Sequence, residues 1–299
     1  MNEYSYLERH MGTDVSLSFV CKKKATANTL AAKTFATIHD YELRFSRFLP
    51  NSELSRLNQN GSMVVSNDFI IVLKRGLELH TLTQGAFNPL LQVSTLGYTD
   101  TFGSFKTTLP STTTPNYNIN VNGIVIDPDT RIVTLLPNQQ LDFGGFLKGY
   151  LATTLVNDIR MTYPTCTGII INIGGDIATY GRDELHKPFI FELYNPVTGE
   201  EIPITLTNTA LATSGTYART WQTSAGKRHH IVDFTSLENP NSDLVATSII
   251  HRNGAIAEAL TKLFLVTGVT EALAHAHANL HHYYYFAVSS DGTISTNLT

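Results

Sequence analysis

Runs with the two-residue period of a β-strand outnumber runs with the period of a helix in this chain, and the two kinds do not alternate. Residues 14–20 place Val15, Leu17 and Phe19 on one face, as a half-buried strand does. Further strands are predicted at 168–173, 188–193, 202–206, 245–251 and 283–289. A hairpin is predicted over 123–136, with its turn at Asp127-Pro128-Asp129. Helices are predicted over 26–46, where Ala31, Phe35, Ile38 and Phe45 recur near period 3.6, and after Ser66-Asn67-Asp68, where polar caps precede Phe69, Leu73 and Leu77. Two more run from Gly144-Gly145 to about Met161, with Leu151, Leu155 and Ile159 on one face, and over 254–266. A doubly wound sheet would set a helix between successive strands, so this order points to an α+β fold. No internal repeat interrupts it.

The 299 residues suit one large domain or two small ones, and a chain of this length buries enough surface to fold unaided. Thr, Ser, Asn, Pro and Gly dominate 94–126, which is read as loops and short edge strands. That stretch is the expected division between two lobes of a single domain over 1–299. Charged residues make up only 15%, the net charge is -4, and no basic run exceeds Lys22-Lys23-Lys24. Nucleic acid is therefore excluded as a main partner. No apolar run is long enough to span a membrane. The first residues carry neither a basic nor an apolar leader region, so a cytoplasmic location is expected for the chain as given, and an extracytoplasmic one if a signal peptide has been removed. Cys21 and Cys166 are far apart in sequence and have no metal-type spacing, so two buried thiols are expected.

Four glycine-containing turns sit at the ends of predicted elements: Met11-Gly12-Thr13, Gly85-Ala86-Phe87-Asn88, Asp142 through Gly149, and Asn172 through Asp176. Glycine admits a ligand close to backbone N–H groups, and a helix N-terminus adds positive potential. The third turn carries the strongest signal. Lys148 stands in the first helical turn, where a lysine is unfavourable unless an anion or a carboxylate compensates it. In Arg228-His229-His230-Ile231-Val232-Asp233, a histidine followed three residues later by an aspartate has the makings of an acid/base pair. His275, His277, His281 and His282 form a second histidine group, read as a solvated face because no carboxylate or cysteine completes a ligand set.

Taken in order, these segments resemble the ApbE family of FAD:protein FMN transferases. Met11-Gly12-Thr13 resembles the family's opening Met-Gly-Thr, and Phe45 through Phe48 with Asn51 through Asn58 resembles its Phe-Ser-x-aromatic and Ser-Glu-Leu-Ser-x-Leu-Asn segment. Gly85 through Pro89 resembles Gly-x-Phe-Asp-Pro, and Asp142 through Tyr150 resembles Asp-Leu-Gly-Gly-Ile-Ala-Lys-Gly-Tyr. Asn172 through Asp176, Ala212 through Gly215 and His229 through Asp233 resemble Asn-Leu-Gly-Gly-Asp, Ala-Thr-Ser-Gly and His-Ile-x-Asp-Pro.

The resemblance implies mostly antiparallel layered sheets with packed helices around an FAD cleft. It implies transfer of FMN from FAD to a Thr or Ser hydroxyl of a flavoprotein, with release of AMP. Met11, Phe48, Ala86, Phe87, Asn88, Asp142 and Lys148 would line the FAD site, and His230 would assist the acceptor hydroxyl. The family's Mg²⁺ would fall to the Leu147 carbonyl and to an Asp and a Thr four residues apart on a late helix, but those two positions hold Glu258 and Lys262. A protonated lysine offers no lone pair to a cation. Lys262 either replaces the metal's charge or fills a lapsed site, so a catalytically lapsed flavin-binding relative and an FAD pyrophosphatase stand as alternatives.

Overall fold

The chain opens with a hairpin, β1 (Asn2–His10) and β2 (Thr13–Cys21), joined by the two-residue turn Met11-Gly12. Both turn residues have positive φ, 52° and 72°. A hairpin this tight needs that conformation to match the strand twist. Glycine adopts it freely, whereas Met11 does so at a steric cost. This is a computed structural model, and it describes residues 1–91, 93–96, 117–223, 226–280 and 282–298.

The elements that follow are α1 (Lys24–Phe45), α2 (Glu53–Asn60), β3 (Ser62–Val64), α3 (Asn67–Leu82), β4 (Val125–Ile126), β5 (Ile132–Thr134) and α4 (Leu147–Thr162). Then come β6 (Gly168–Ile173), β7 (Asp176–Gly181), β8 (Phe189–Tyr194), β9 (Glu201–Leu206), β10 (Ala210–Gly215), β11 (Thr220–Thr223) and β12 (Gly226–His229). The last are β13 (Leu244–His251), α5 (Gly254–Thr267), α6 (Val269–Asn279), β14 (Tyr284–Ser289) and β15 (Ile294–Thr296). The expected α+β class is what forms. Most of the expected lobe boundary, residues 97–116, lies outside the described residues.

Eight strands make one sheet in the order β1-β2-β6-β7-β10-β13-β14-β15, antiparallel at every pairing. Ile169, Ile171 and Ile173 of β6 join Val15, Leu17 and Phe19 of β2 beneath α1 and α4. Ile170 turns to the other face, where the β8–β9 hairpin lays Leu193 and Leu206 over Ile177, Leu211, Phe286 and Val288. Both faces of β6 are therefore covered, and this is why 168–173 is apolar apart from Asn172 while β2 alternates. Among the described residues, no helix is long and apolar enough to cross a membrane.

A second core lies between α1, α2, α3 and the start of α4. Its centre is aromatic: Phe45 on Phe69 at 5.6 Å, Phe69 on Phe143 at 5.6 Å, Phe143 on Phe146 at 5.7 Å and Phe146 on Phe87 at 5.3 Å. Phe143 and Phe146 flank Gly144-Gly145 and anchor that turn from both sides. The helix predicted to open at Gly144 therefore begins at Leu147, because the two glycines form the turn that leads into it.

Helices α4 and α5 cross at two glycines. A Cβ on Gly149 would lie 2.4 Å from the Gly254 carbonyl oxygen, and one on Gly254 would lie 2.3 Å from that of Gly149. Contacts this short with backbone cannot be relieved by a side-chain rotation. Gly149→Ala should destabilise the chain by about 1–3 kcal/mol, against a helix-propensity gain of about 1 kcal/mol. Urea unfolding checks this, and an unchanged or raised midpoint contradicts it.

Candidate active site

The N-terminus of α4 has no side-chain cap of its own. The carboxylate of Glu258, from α5, supplies one: its Oε2 accepts the Gly149 N–H at 3.1 Å. One of the four N–H groups left open at a helix start is thus satisfied, by a charge the helix dipole favours. Lys148, in the same turn, donates to Glu258 Oε1 at 3.3 Å and is in direct contact with the carboxylate of Asp176, the first residue of β7 after Gly174-Gly175. One turn along α5, the Lys262 ammonium lies 3.5 Å from Glu258 Oε1. Asp176 and Glu258 are each 2% exposed. Two buried carboxylates and two half-buried ammonium groups therefore meet with no net charge.

Burial alone pushes Lys148 down, but Asp176 and Glu258 outweigh it and hold the ammonium well above its ordinary range. Burial and Glu258 push Asp176 up to about 6, with Lys148 and Lys262 pulling the other way, so it is ionised at neutral pH. Burial also pushes Glu258 up, but Lys148, Lys262 and the Gly149 N–H hold it below the usual carboxylate range. Lys262 is lowered by burial, which Glu258 and Asp176 only partly offset.

Several of the expected site residues come together around this cluster. A Cβ on Gly145 would touch the Phe87 ring at 3.0 Å and Lys262 Cε at 3.7 Å, which puts the two glycine turns and α5 side by side. Asp142 accepts the Gly144 N–H at 2.8 Å and faces Arg47 at 3.4 Å. Arg47 in turn lies 4.6 Å over the exposed ring of Phe48. Met11 packs against both the first and the second core. Beside it, Thr13 fills the space above Gly174, two residues before Asp176. Asn88 is buried, and the fold uses its amide: Nδ2 donates to the Ile119 carbonyl at 3.0 Å and Oδ1 accepts the Leu90 N–H at 2.9 Å. Ala86 lines a cavity of about 270 Å³ with Phe234, Leu263, Glu271 and His275. Phe87, Asn88, Asp142 and Lys148 do not line that cavity.

The pairing of a histidine with Asp233 does not form. Asp233 accepts from Thr235 at 2.8 Å and Ser236 at 3.0 Å, closing its own turn. Asn239 donates to His229 Nδ1 at 3.1 Å and to the carbonyls of His229 and Ile231, fixing the segment that carries His230. His230 Nδ1 is buried with no hydrogen-bond partner among the described residues. Burial, with Arg219 and Lys262 nearby, pushes its pKa down to about 3, so the ring is neutral at neutral pH and a weak base.

An unfolded histidine takes up its proton near pH 6.5, whereas His230 in the fold does not until about pH 3. The stability it contributes is therefore full above about pH 6.5 and is lost as the pH falls, at up to about 1.4 kcal/mol per pH unit. Asp176 acts in the opposite sense below about pH 6. Comparison with His230→Asn cancels that shared effect. The variant should lose less stability than the unmodified chain between pH 7 and pH 5 by urea unfolding, and equal losses contradict this.

The sequence profile of the ApbE family matches residues 11–286, nearly the whole chain. This chain belongs to the ApbE family. The curated FAD:protein FMN transferase of Haemophilus influenzae is 24% identical over 269 residues, covering 85% of this chain and 77% of that protein. That of Treponema pallidum is 24% identical over 297 residues, covering 92% and 81%. The fold matches the flavin transferase ApbE from Vibrio cholerae with a TM-score of 0.83 at 20% identity, covering 99% of this chain and 96% of that one. It matches the ApbE protein of Thermotoga maritima at 0.84 and 21%, covering 98% and 96%.

The residues at the position expected to bind the ApbE cation do not fit Mg²⁺. Glu258 faces two ammonium groups and a backbone N–H, and Lys262 stands where an oxygen donor is needed. Thr261, one position away, is fully buried and bonds Ser214 at 2.7 Å and the Glu258 carbonyl at 2.6 Å. A cation requiring near-octahedral oxygen ligands would meet positive charge instead. Among the described residues, the histidine and acidic side chains clustered closely enough to hold an ion are His10, His39 and Glu42, at the end of β1 and on α1. Of the late histidines, His275 bonds the Leu82 carbonyl at 2.8 Å, while His281 and the side chain of His277 lie outside the described residues.

Sequence reasoning did not single out Asp176 as a site residue, although it is the closest partner of Lys148. The available signal was an aspartate directly after Gly174-Gly175, at the first position of a strand buried on both faces.

Proposed function

We propose that this chain is an FAD:protein FMN transferase, and that FAD is its substrate and a flavoprotein Thr or Ser hydroxyl its acceptor. The observation that carries this reading is membership of the ApbE family across residues 11–286, together with curated relatives that bear the name of this activity. The acceptor oxygen attacks the phosphorus of the FMN half of FAD. The bond from that phosphorus to the bridging oxygen breaks, and its electron pair leaves with AMP. The hydroxyl proton passes to the His230 ring, which is neutral before the step. Little covalent work falls to the protein in such a step, so positioning and charge neutralisation dominate.

Lys148 and Lys262 face the diphosphate, and Met11, Phe48, Ala86, Phe87, Asn88 and Asp142 hold the rest of FAD. Negative charge builds up on the departing phosphate, and the two ammonium groups meet it, with Asp176 and Glu258 offsetting part of their charge. No step is routed through Mg²⁺, because Glu258 and Lys262 do not form its site.

Chromatography of the nucleotide products tests the reading. Incubation with FAD should release AMP only when an acceptor peptide bearing a Thr is present. AMP and free FMN without acceptor would instead make the chain a pyrophosphatase. FAD unchanged under all conditions would make it a lapsed flavin-binding relative, a reading favoured only by how tightly Glu258 is engaged. Lys262→Thr removes the repelling charge and restores an oxygen donor. Mg²⁺ should then stimulate FAD turnover by about tenfold or more, equivalent to about 1.4 kcal/mol. The same response in the unmodified chain contradicts the lysine's part.

A further inference from the structure

Cys21 closes β2, and Cys166 stands between α4 and β6. The fold brings these residues, 145 positions apart, to a separation of 3.3 Å between sulfurs. Both are 1% exposed, in the core shared by β2, β6, α1 and α4. The backbone fixes them there. Val20 pairs with Gly168 across β2 and β6, and the Thr167 N–H donates to the Val20 carbonyl at 3.0 Å. The second contact of Cys166 Sγ is the Gly168 carbonyl at 3.4 Å. A disulfide needs about 2.05 Å between sulfurs, so each must move by only about 0.6 Å, within reach of small side-chain rotations.

We propose that Cys21 and Cys166 form an intramolecular disulfide when the chain folds in the presence of a low-molecular-weight disulfide such as oxidised glutathione. One cysteine thiolate attacks a sulfur of the reagent and expels one glutathione thiolate. The second cysteine thiolate attacks the protein sulfur of this mixed disulfide and expels the other glutathione. The two cysteines lose two electrons, glutathione disulfide gains them, and the two protons pass to the released thiolates.

Burial pushes the Cys166 thiol up, and once the core has closed neither sulfur meets solvent. The bond therefore forms during folding, while the folded reduced chain resists the same reagent. It closes a long loop and ties β2 to the strand that leads to Gly174-Gly175 and Asp176, which favours the native state by restricting the unfolded one. None of this depends on the transferase reading.

The test is refolding from urea in a reduced/oxidised glutathione buffer and, in parallel, in dithiothreitol. The glutathione sample should be two hydrogens lighter, should lose both alkylatable thiols, and should give a linked Cys21–Cys166 peptide on digestion. Its urea midpoint should exceed that of the reduced sample, and Cys166→Ser should abolish the difference. Two alkylatable thiols, glutathione left attached to either cysteine, or a midpoint lowered by the bond would each overturn the proposal.

Discussion

Lys148→Met should lower the free energy of unfolding by about 3–5 kcal/mol, the usual cost of removing one partner of a buried ion pair. Asp176 and Glu258 are almost wholly removed from water, and Lys148 is in ion-pair contact with both. Lys262 compensates only in part, since its ammonium pairs with Glu258 and not with Asp176. Without Lys148, Asp176 rises above its already elevated value of about 6, and the folded chain then takes up a proton that the unfolded chain takes up only near pH 4. The deficit should therefore shrink as the pH falls from 8 to 5. Lys148→Met with Asp176→Leu should recover much of the loss, because the stranded charge is gone. Urea unfolding across this pH range checks both points. A loss below about 1 kcal/mol at pH 8 would mean that the cluster is solvated and not buried.

His230→Ala should slow FMN transfer by about 10²–10⁴-fold, the range for loss of a positioned general base, while FAD affinity stays largely intact. The ring is neutral at working pH and its buried Nδ1 is unpartnered among the described residues, so it stands in the base form, although the burial that lowers its pKa to about 3 also weakens it as a base. Asn239 holds the flanking backbone through three hydrogen bonds, accepting the His229 N–H and donating to the His229 and Ile231 carbonyls, which keeps the segment in place when the side chain is cut back. His230→Gln, which preserves much of the shape but carries no proton at this pH, should lose as much rate as the alanine variant. Single-turnover transfer and flavin titration separate the two effects. Parallel losses of rate and affinity would make His230 a residue that holds FAD.

The α+β class and most long elements could be read from the sequence, because β2, α1, α3 and α5 carry clear apolar periods or capping residues. Ser66 and Asn253 cap their helices through the side chain, as Ser52 caps α2. Strands β1, β7 and β10 were not legible. β1 lies at the sheet edge and is largely exposed, so its alternation is reduced to Tyr4 and Tyr6, which pack on the first core. β10 is built largely from Ala, Thr and Ser, and β7 mixes Asp, Ile, Ala, Thr, Tyr and Gly, so neither shows an apolar period; α4 and α5 lie close over them.

Two of the glycine turns lie side by side with α5, and Lys148 signalled the need for a compensating charge. What spacing alone did not supply was which carboxylates answer it, since Asp176 and Glu258 arrive from a distant strand and helix. The three-residue spacing from His230 to Asp233 misled for a local reason: an aspartate at the start of a tight turn satisfies its own backbone and hydroxyl neighbours first. The approach of Cys21 to Cys166 follows from the β2–β6 register, which no local pattern encodes.

The most direct test of the account is the intact mass of a Thr-bearing acceptor peptide after incubation with this chain and FAD in excess EDTA. The account predicts that the peptide gains one FMN, with one AMP released for each peptide modified, and that added Mg²⁺ leaves the rate unchanged. An unmodified peptide in EDTA that becomes flavinylated only when Mg²⁺ is restored would contradict the role given to Lys148 and Lys262. A peptide unmodified under both conditions would contradict the transferase reading itself.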